Sequence, residues 1–137
     1  MTIGVTKAGI DLGIVTRDLK ALVCFYRDVV GLEDLGSART RSTAGGKVHT
    51  LRCGESTIKL IEYAEAPAAS PARGPVYAAT GYRYWTITID NLEETVAACV
   101  AAGRDVVVPS KEIGQGIRVA IVEDPDGNWI EFLDASI

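Results

Sequence analysis

The chain states one pattern twice. Near its start it reads Asp11-Leu-Gly-Ile-Val-Thr-Arg-Asp-Leu19, followed by a helix-like stretch ending at Gly31. Later it reads Tyr84-Trp-Thr-Ile-Thr-Ile-Asp-Asn-Leu92, followed by a helix-like stretch ending at Gly103. Each copy closes on a strand with a carboxylate set among apolar residues: Ile58-Lys-Leu-Ile-Glu62-Tyr63 in the first, Trp129-Ile-Glu131-Phe-Leu133 in the second. An internal repeat constrains the architecture more than any single residue, because each copy must form one supersecondary unit that packs in the same way. Matching the copies in this way makes Asp11, Glu62, Tyr84 and Glu131 equivalent positions, three of them acidic in otherwise mostly apolar strands.

Within each copy the hydrophobic period changes in the same order. Residues 10–16 form a β-rich run, and Asp18 is a natural N-cap. Leu19, Leu22, Val23, Phe25, Tyr26 and Val29 then recur at helical spacing over 19–30, with Gly31 as a C-terminal stop. A short strand over 32–36, a polar Gly-rich stretch from Arg39 to Gly46, and strands near 47–53 and 56–63 complete the first copy. The second copy predicts a strand over 83–89, an Asn91 cap and a helix over 92–102. Strands over 105–108, 117–123 and 128–133 follow, with Pro109 and a Ser110–Gly116 loop after the first of these. Asp124-Pro-Asp-Gly127 is a type I turn sequence. The expected fold class is α+β: two βαβββ modules forming a cupped mixed sheet around a cavity. The modules cover 8–63 and 82–135 of a single domain spanning 1–137. The Pro-, Ala- and Gly-rich segment 64–81 links them, with Val76 and Tyr77 expected to pack down.

Bulk properties narrow the function. The formal net charge is -4 and the 14 Lys and Arg are scattered, which argues against nucleic acid, whose phosphates need clustered cations. No apolar run approaches a membrane span, and no basic segment followed by an apolar core opens the chain, so a cytoplasmic protein is expected. Three widely spaced cysteines, Cys24, Cys53 and Cys99, without a CxxC pair, read as reduced thiols.

The segments Asp11-Leu-Gly-Ile-Val-Thr-Arg-Asp-Leu, Phe25-Tyr-Arg-Asp-Val-Val-Gly-Leu32, the Asn91-Leu-Glu-Glu helix ending Ala-Ala-Gly103, and Glu123-Asp-Pro-Asp-Gly-Asn-Trp-Ile-Glu131 occur in that order. Together they resemble the vicinal oxygen chelate superfamily, which includes glyoxalase I, methylmalonyl-CoA epimerase, extradiol dioxygenases, fosfomycin-resistance transferases and bleomycin-binding proteins. The resemblance covers nearly the whole chain and implies a cavity between modules, with ligands to a divalent metal drawn from the first and last strands of each. Carried over by position, it implies Asp11, Glu62, Tyr84 and Glu131 as the metal set. Glu62 and Glu131 match the family's ligand types, whereas Asp11 and Tyr84 depart from its usual His or Gln. It also implies a homodimer.

An Asp, Glu, Tyr and Glu set is all oxygen. Such a set suits Mg, Mn or Ca better than Zn, though a metal-free site is equally compatible. A ferrous dioxygenase is excluded, because two His ligands are needed and the chain contains one histidine, His49. Proton transfer next to a carbonyl then becomes the expected chemistry, as isomerisation, epimerisation or lyase action on a small-molecule substrate. Glu131 and Glu62 are the candidate bases, and Tyr84 is the hydrogen-bond donor to a developing oxyanion. The alternative is a non-catalytic small-molecule binder of the drug-sequestering kind, which would have no need of acids in an apolar cavity. A thiol transferase of the fosfomycin-resistance type is disfavoured by the missing histidines. His49, alternating with Leu51 and Cys53, is a secondary acid/base candidate.

Overall fold

Strand and helix boundaries follow the change of hydrophobic period closely. The computed structural model describes residues 2–136. They divide into two compact units, one ending at Pro67 and the other beginning at Ala68, so the division falls inside the expected linker.

In the first unit, strand β1 (Asp11–Val15) leads into helix α1 (Leu19–Val23), which continues as a π-helical segment over Cys24–Val29. Strands β2 (Glu33–Arg39), β3 (Gly46–Cys53) and β4 (Ser56–Tyr63) follow. The sheet order is β1-β4-β3-β2, with β1 parallel to β4 and the other pairs antiparallel. In a strand successive side chains alternate between faces. One face of this sheet therefore carries Ile14, Leu51, Ile58 and Leu60, all buried, and α1 packs on β4. Leu22, Val23, Phe25 and Tyr26 supply the helical side of that core, each worth roughly 1.5–3 kcal/mol when fully buried. Asp11, Gly13 and Val15 alternate onto the opposite, more open face.

The second unit repeats the plan. Strand β5 (Tyr84–Ile89) precedes helix α2 (Leu92–Ala101) and strands β6 (Val106–Gly114), β7 (Ile117–Glu123) and β8 (Trp129–Asp134), in the order β5-β8-β7-β6. β5 runs parallel to β8, and the remaining pairs are antiparallel. Both modules are thus βαβββ units with mixed four-stranded sheets, and the fold is α+β as expected.

Two local features differ from the sequence expectation. β6 does not stop before Pro109 but runs on to Gly114, absorbing the proline through register shifts between Val106 and Val108 and between Val108 and Lys111. This is where a proline is tolerated in a sheet, since β6 is an edge strand and bulges leave its missing N–H unneeded. In the linker, Val76–Ala78 forms a short 3-10 turn, but Tyr77 is 89% exposed rather than packed. The linker is held instead by Arg83. Its guanidinium donates to the carbonyls of Val76 (2.8 Å) and Pro75 (3.2 Å) and lies 5.0 Å from the Trp129 ring centroid.

Candidate functional site

The sheet registers decide which of the four sequence-derived positions can act together. In the first module Asp11 pairs with Thr57, and Glu62 lies five residues further along β4. An odd offset puts Glu62 on the opposite face, about 16 Å along the strand. Asp11 and Glu62 therefore cannot ligate one ion, and a metal centre built from all four residues is not available. Among the described residues, no group of three or more His, Cys, Asp or Glu side chains is placed to hold a metal.

Both acidic candidates of the first module, Asp11 and Glu62, have local partners. Asp11 is 48% exposed, and its Oδ1 accepts from Lys7 Nζ at 2.6 Å and closely from Thr57 Oγ1. These two hydrogen bonds, with the nearby charges of Lys7 and Lys59, hold its carboxyl below the usual Asp range. Glu62 turns to the helix side, where its Oε2 accepts from the backbone N–H of Leu19 at 2.8 Å. That N–H is one of the unpaired donors at the start of α1, so Glu62 caps the helix from the neighbouring sheet. Asp18 Oδ1 satisfies the N–H of Ala21 at 3.1 Å.

The repeat shows the same device in the second module. Asp134 Oδ2 accepts from the N–H of Leu92 at 3.3 Å, at the start of α2. Asn91 makes no side-chain bond to the helix backbone; its Oδ1 accepts from Thr95 Oγ1 at 3.2 Å. Glu62 is thus the counterpart of Asp134, not of Glu131. The counterpart of Glu131 is Lys59: Glu131 is in register with Thr86, two residues beyond Tyr84, and Lys59 with Gly13, two residues beyond Asp11. Aligning Ile58-Lys-Leu on Ile130-Glu-Phe would have shown this in the sequence.

Tyr84 and Glu131 share one sheet face. Tyr84 is in register with Trp129, so Glu131, two residues on, projects from the same face as Tyr84. Thr86 Oγ1 donates to Glu131 Oε1 at 2.9 Å, which fixes the carboxylate. Glu131 is half-buried and in register with Ile121 on β7, with Trp129 and Leu133 on the same face of β8. The Tyr84 side chain is 44% exposed. The carboxylate held by Thr86 and the Tyr84 phenol are diagonal neighbours on this face, with Trp129 and Leu133 on the same face of β8.

The sequence profile of the Glyoxalase/Bleomycin resistance protein/Dioxygenase superfamily matches residues 10–132. The chain belongs to this superfamily. Among solved structures, a glyoxalase family protein from Bacillus cereus aligns with a TM-score of 0.82 at 19% identity, covering 96% of this chain and 95% of that one. The glyoxalase I of Leishmania major aligns at 0.68 with 21% identity, covering 91% of this chain and 84% of that one. A fosfomycin resistance protein from Mesorhizobium loti aligns at 0.63 with 15% identity, covering 96% and 91%. At these identities the likeness is one of fold. No match was found among curated proteins. Superfamily members commonly use divalent metals, but the residues here do not fit the four-oxygen centre that the resemblance implied, because a lysine stands at one of its sheet positions and Glu62 faces away.

The sequence reading also missed a groove. On the helix side of the first sheet, Asp18, Lys20, Arg27, Lys47, His49 and Glu62 are among the residues that line an open recess of about 400 Å³. His49 is 15% exposed and its Nε2 lies 2.7 Å from Asp34 Oδ1. Of its lining residues, Asp18, Cys24, His49 and Glu62 stand out in the sequence. Lys20 and Lys47 read as ordinary surface charges because the recess joins α1 to β3, which are far apart in the sequence.

Proposed function

We propose that the protein acts on a small carbonyl compound by metal-independent proton transfer, as an isomerase, epimerase or lyase of the glyoxalase-like kind. One observation carries this reading: Glu131 and Tyr84 share a sheet face, with the Glu131 carboxylate fixed by Thr86. Glu131 takes the proton from the carbon next to the carbonyl. The Tyr84 hydroxyl donates to the oxygen on which negative charge develops, where a fixed donor is most effective. Return of a proton to the opposite face of the same carbon gives epimerisation; return to the former carbonyl carbon, with the hydroxyl proton moving to the other oxygen, gives isomerisation. Glu62, the other candidate base, lies on the opposite face of its sheet and accepts from the Leu19 N–H.

A second reading is binding without turnover, supported by the cation Lys59 at the position equivalent to Glu131. Proton exchange separates the two. α-Hydroxy and α-keto compounds are incubated with the protein in D₂O and followed by NMR. The catalytic reading predicts loss of the α-proton signal with at least one compound, and no such loss with Glu131→Gln. Ligand binding that survives in both proteins, without exchange in either, supports the binder. The same reading keeps the expected small-molecule partner and a homodimer as proposals, to be checked by sedimentation.

A further inference from the structure

The segment before β5 meets one end of the Tyr84–Glu131 face, and a single side chain fastens it there. Tyr84, Trp129 and Glu123 are in register across β5, β8 and β7, and Glu131 lies two residues beyond Trp129 on the same face. Trp129 is 7% exposed, and its Nε1–H donates to Glu123 Oε1 at 3.3 Å. The Arg83 guanidinium sits between this row and the segment. It lies 5.0 Å from the Trp129 ring centroid and donates to the carbonyls of Val76 at 2.8 Å, Pro75 at 3.2 Å and Ala72 at 3.5 Å. A second tie is looser: Arg73 Nη1 lies 3.7 Å from Glu123 Oε1.

Packing adds little to these contacts. Of residues 72–82, Val76 and Ala79 are half-buried and the others are exposed. The Arg73 side chain is 77% exposed, and an ion pair that open contributes little. Gly74 and Gly81 have φ of +101° and +95°, a region that glycine enters freely. Such positions near the ends of a loop can absorb the backbone change of a moving segment. Few buried side chains also mark a segment that opens locally without unfolding the rest.

We propose that residues 74–81 form a strap that gates this end of the open face, with Arg83 as its latch. The latched state is the one described above, with the guanidinium bonded to the strap and stacked on the indole. Release of the three carbonyls frees the strap, uncovers Trp129 and opens the row next to Glu131 to a ligand; relatching excludes water from that row. The purpose of the gate rests on the Tyr84–Glu131 face being the site, whereas the latch itself does not.

Hydrogen exchange followed by NMR tests the latch without a substrate. The Ala78 amide, which donates to the Pro75 carbonyl at 2.8 Å, reports on the strap. The Trp129 indole N–H reports on the covered face, and the backbone amides of β8, inside the sheet, report on the fold. Arg83→Gln and Arg83→Lys should each speed exchange at Ala78 and at the indole about tenfold or more, with the β8 amides within about twofold of the parent. Lysine keeps a charge near the ring but lacks the planar fork that reaches three carbonyls, so it separates the latch from the cation–π contact. Parent-like exchange at Ala78 in either variant would overturn the latch. Equal acceleration of the β8 amides would do so too, by making Arg83 a support of the whole unit. Faster exchange at Ala78 with an indole as protected as in the parent would overturn the gate. Each result is read without turnover, so failure of the proposed reaction and failure of the strap are distinguishable.

Discussion

Lys59 holds in the first module the sheet position that Glu131 holds in the second. The two halves therefore share a backbone plan but carry opposite charge at the corresponding point of their open faces. The carboxylates that do correspond, Glu62 and Asp134, lie on the other faces and cap the two helices. Helix capping thus falls to Glu62 and Asp134 and not to Glu131, although all three look alike in the sequence.

The first consequence separates Glu62 from Glu131. Glu62→Ala leaves the Leu19 N–H without its acceptor and should destabilise the protein by about 1 kcal/mol, the usual cost of losing a helix cap. It should leave turnover within a few-fold of the parent. Chemical denaturation and a steady-state assay on the same preparations check both halves of the prediction.

Asp134 should link stability to pH. Its hydrogen bonds from the Ser136 hydroxyl and backbone N–H, and from Leu92, hold its folded carboxyl below the ordinary value of 3.8. It therefore contributes fully to stability above that figure, and the contribution is lost as pH falls below it and through the lower value of the folded state. Asp134→Asn should lower the melting temperature at pH 7, and the gap to the parent should narrow as pH falls below 3.8. A gap that stays constant over the titration would show that the carboxylate charge is irrelevant.

Much of this architecture was legible in advance because period and punctuation agreed. Leu19, Leu22, Val23 and Tyr26 marked one helical stripe, and Asp124-Pro-Asp-Gly127 marked the turn before β8. Face assignment at the end of β4 was not legible. Both Lys59 and Glu62 sit in an apolar strand, and the sequence pattern favoured the acid over the cation. Which of them belongs with Glu131 depends on pairing with β1, a contact between residues more than forty positions apart. The extent of β6 was hidden for a similar reason, since Pro109 argues against a strand unless that strand is known to lie at an edge.

Gly46 tests the close approach that starts β3. Its φ is +120°, and a Cβ there would lie 2.1 Å from the backbone carbonyl oxygen of Glu62. Gly46→Ala should cost more than about 1 kcal/mol, because neither the backbone conformation nor the neighbouring strand can accommodate it. It should also disturb the Glu62 cap, so its unfolding should not be additive with that of Glu62→Ala. A double-mutant cycle measured by denaturant unfolding gives the coupling.

The most direct test of the central claim is α-proton exchange in D₂O measured on untagged protein, with and without EDTA. The account predicts that exchange on the responding carbonyl compound persists in EDTA. It also predicts that Glu131→Gln lowers exchange by roughly 10²–10⁴-fold, the usual cost of losing a general base, while the melting temperature stays close to that of the parent. Exchange that disappears in EDTA and returns with a divalent cation, or a folded Glu131→Gln protein that exchanges within a few-fold of the parent, would contradict it.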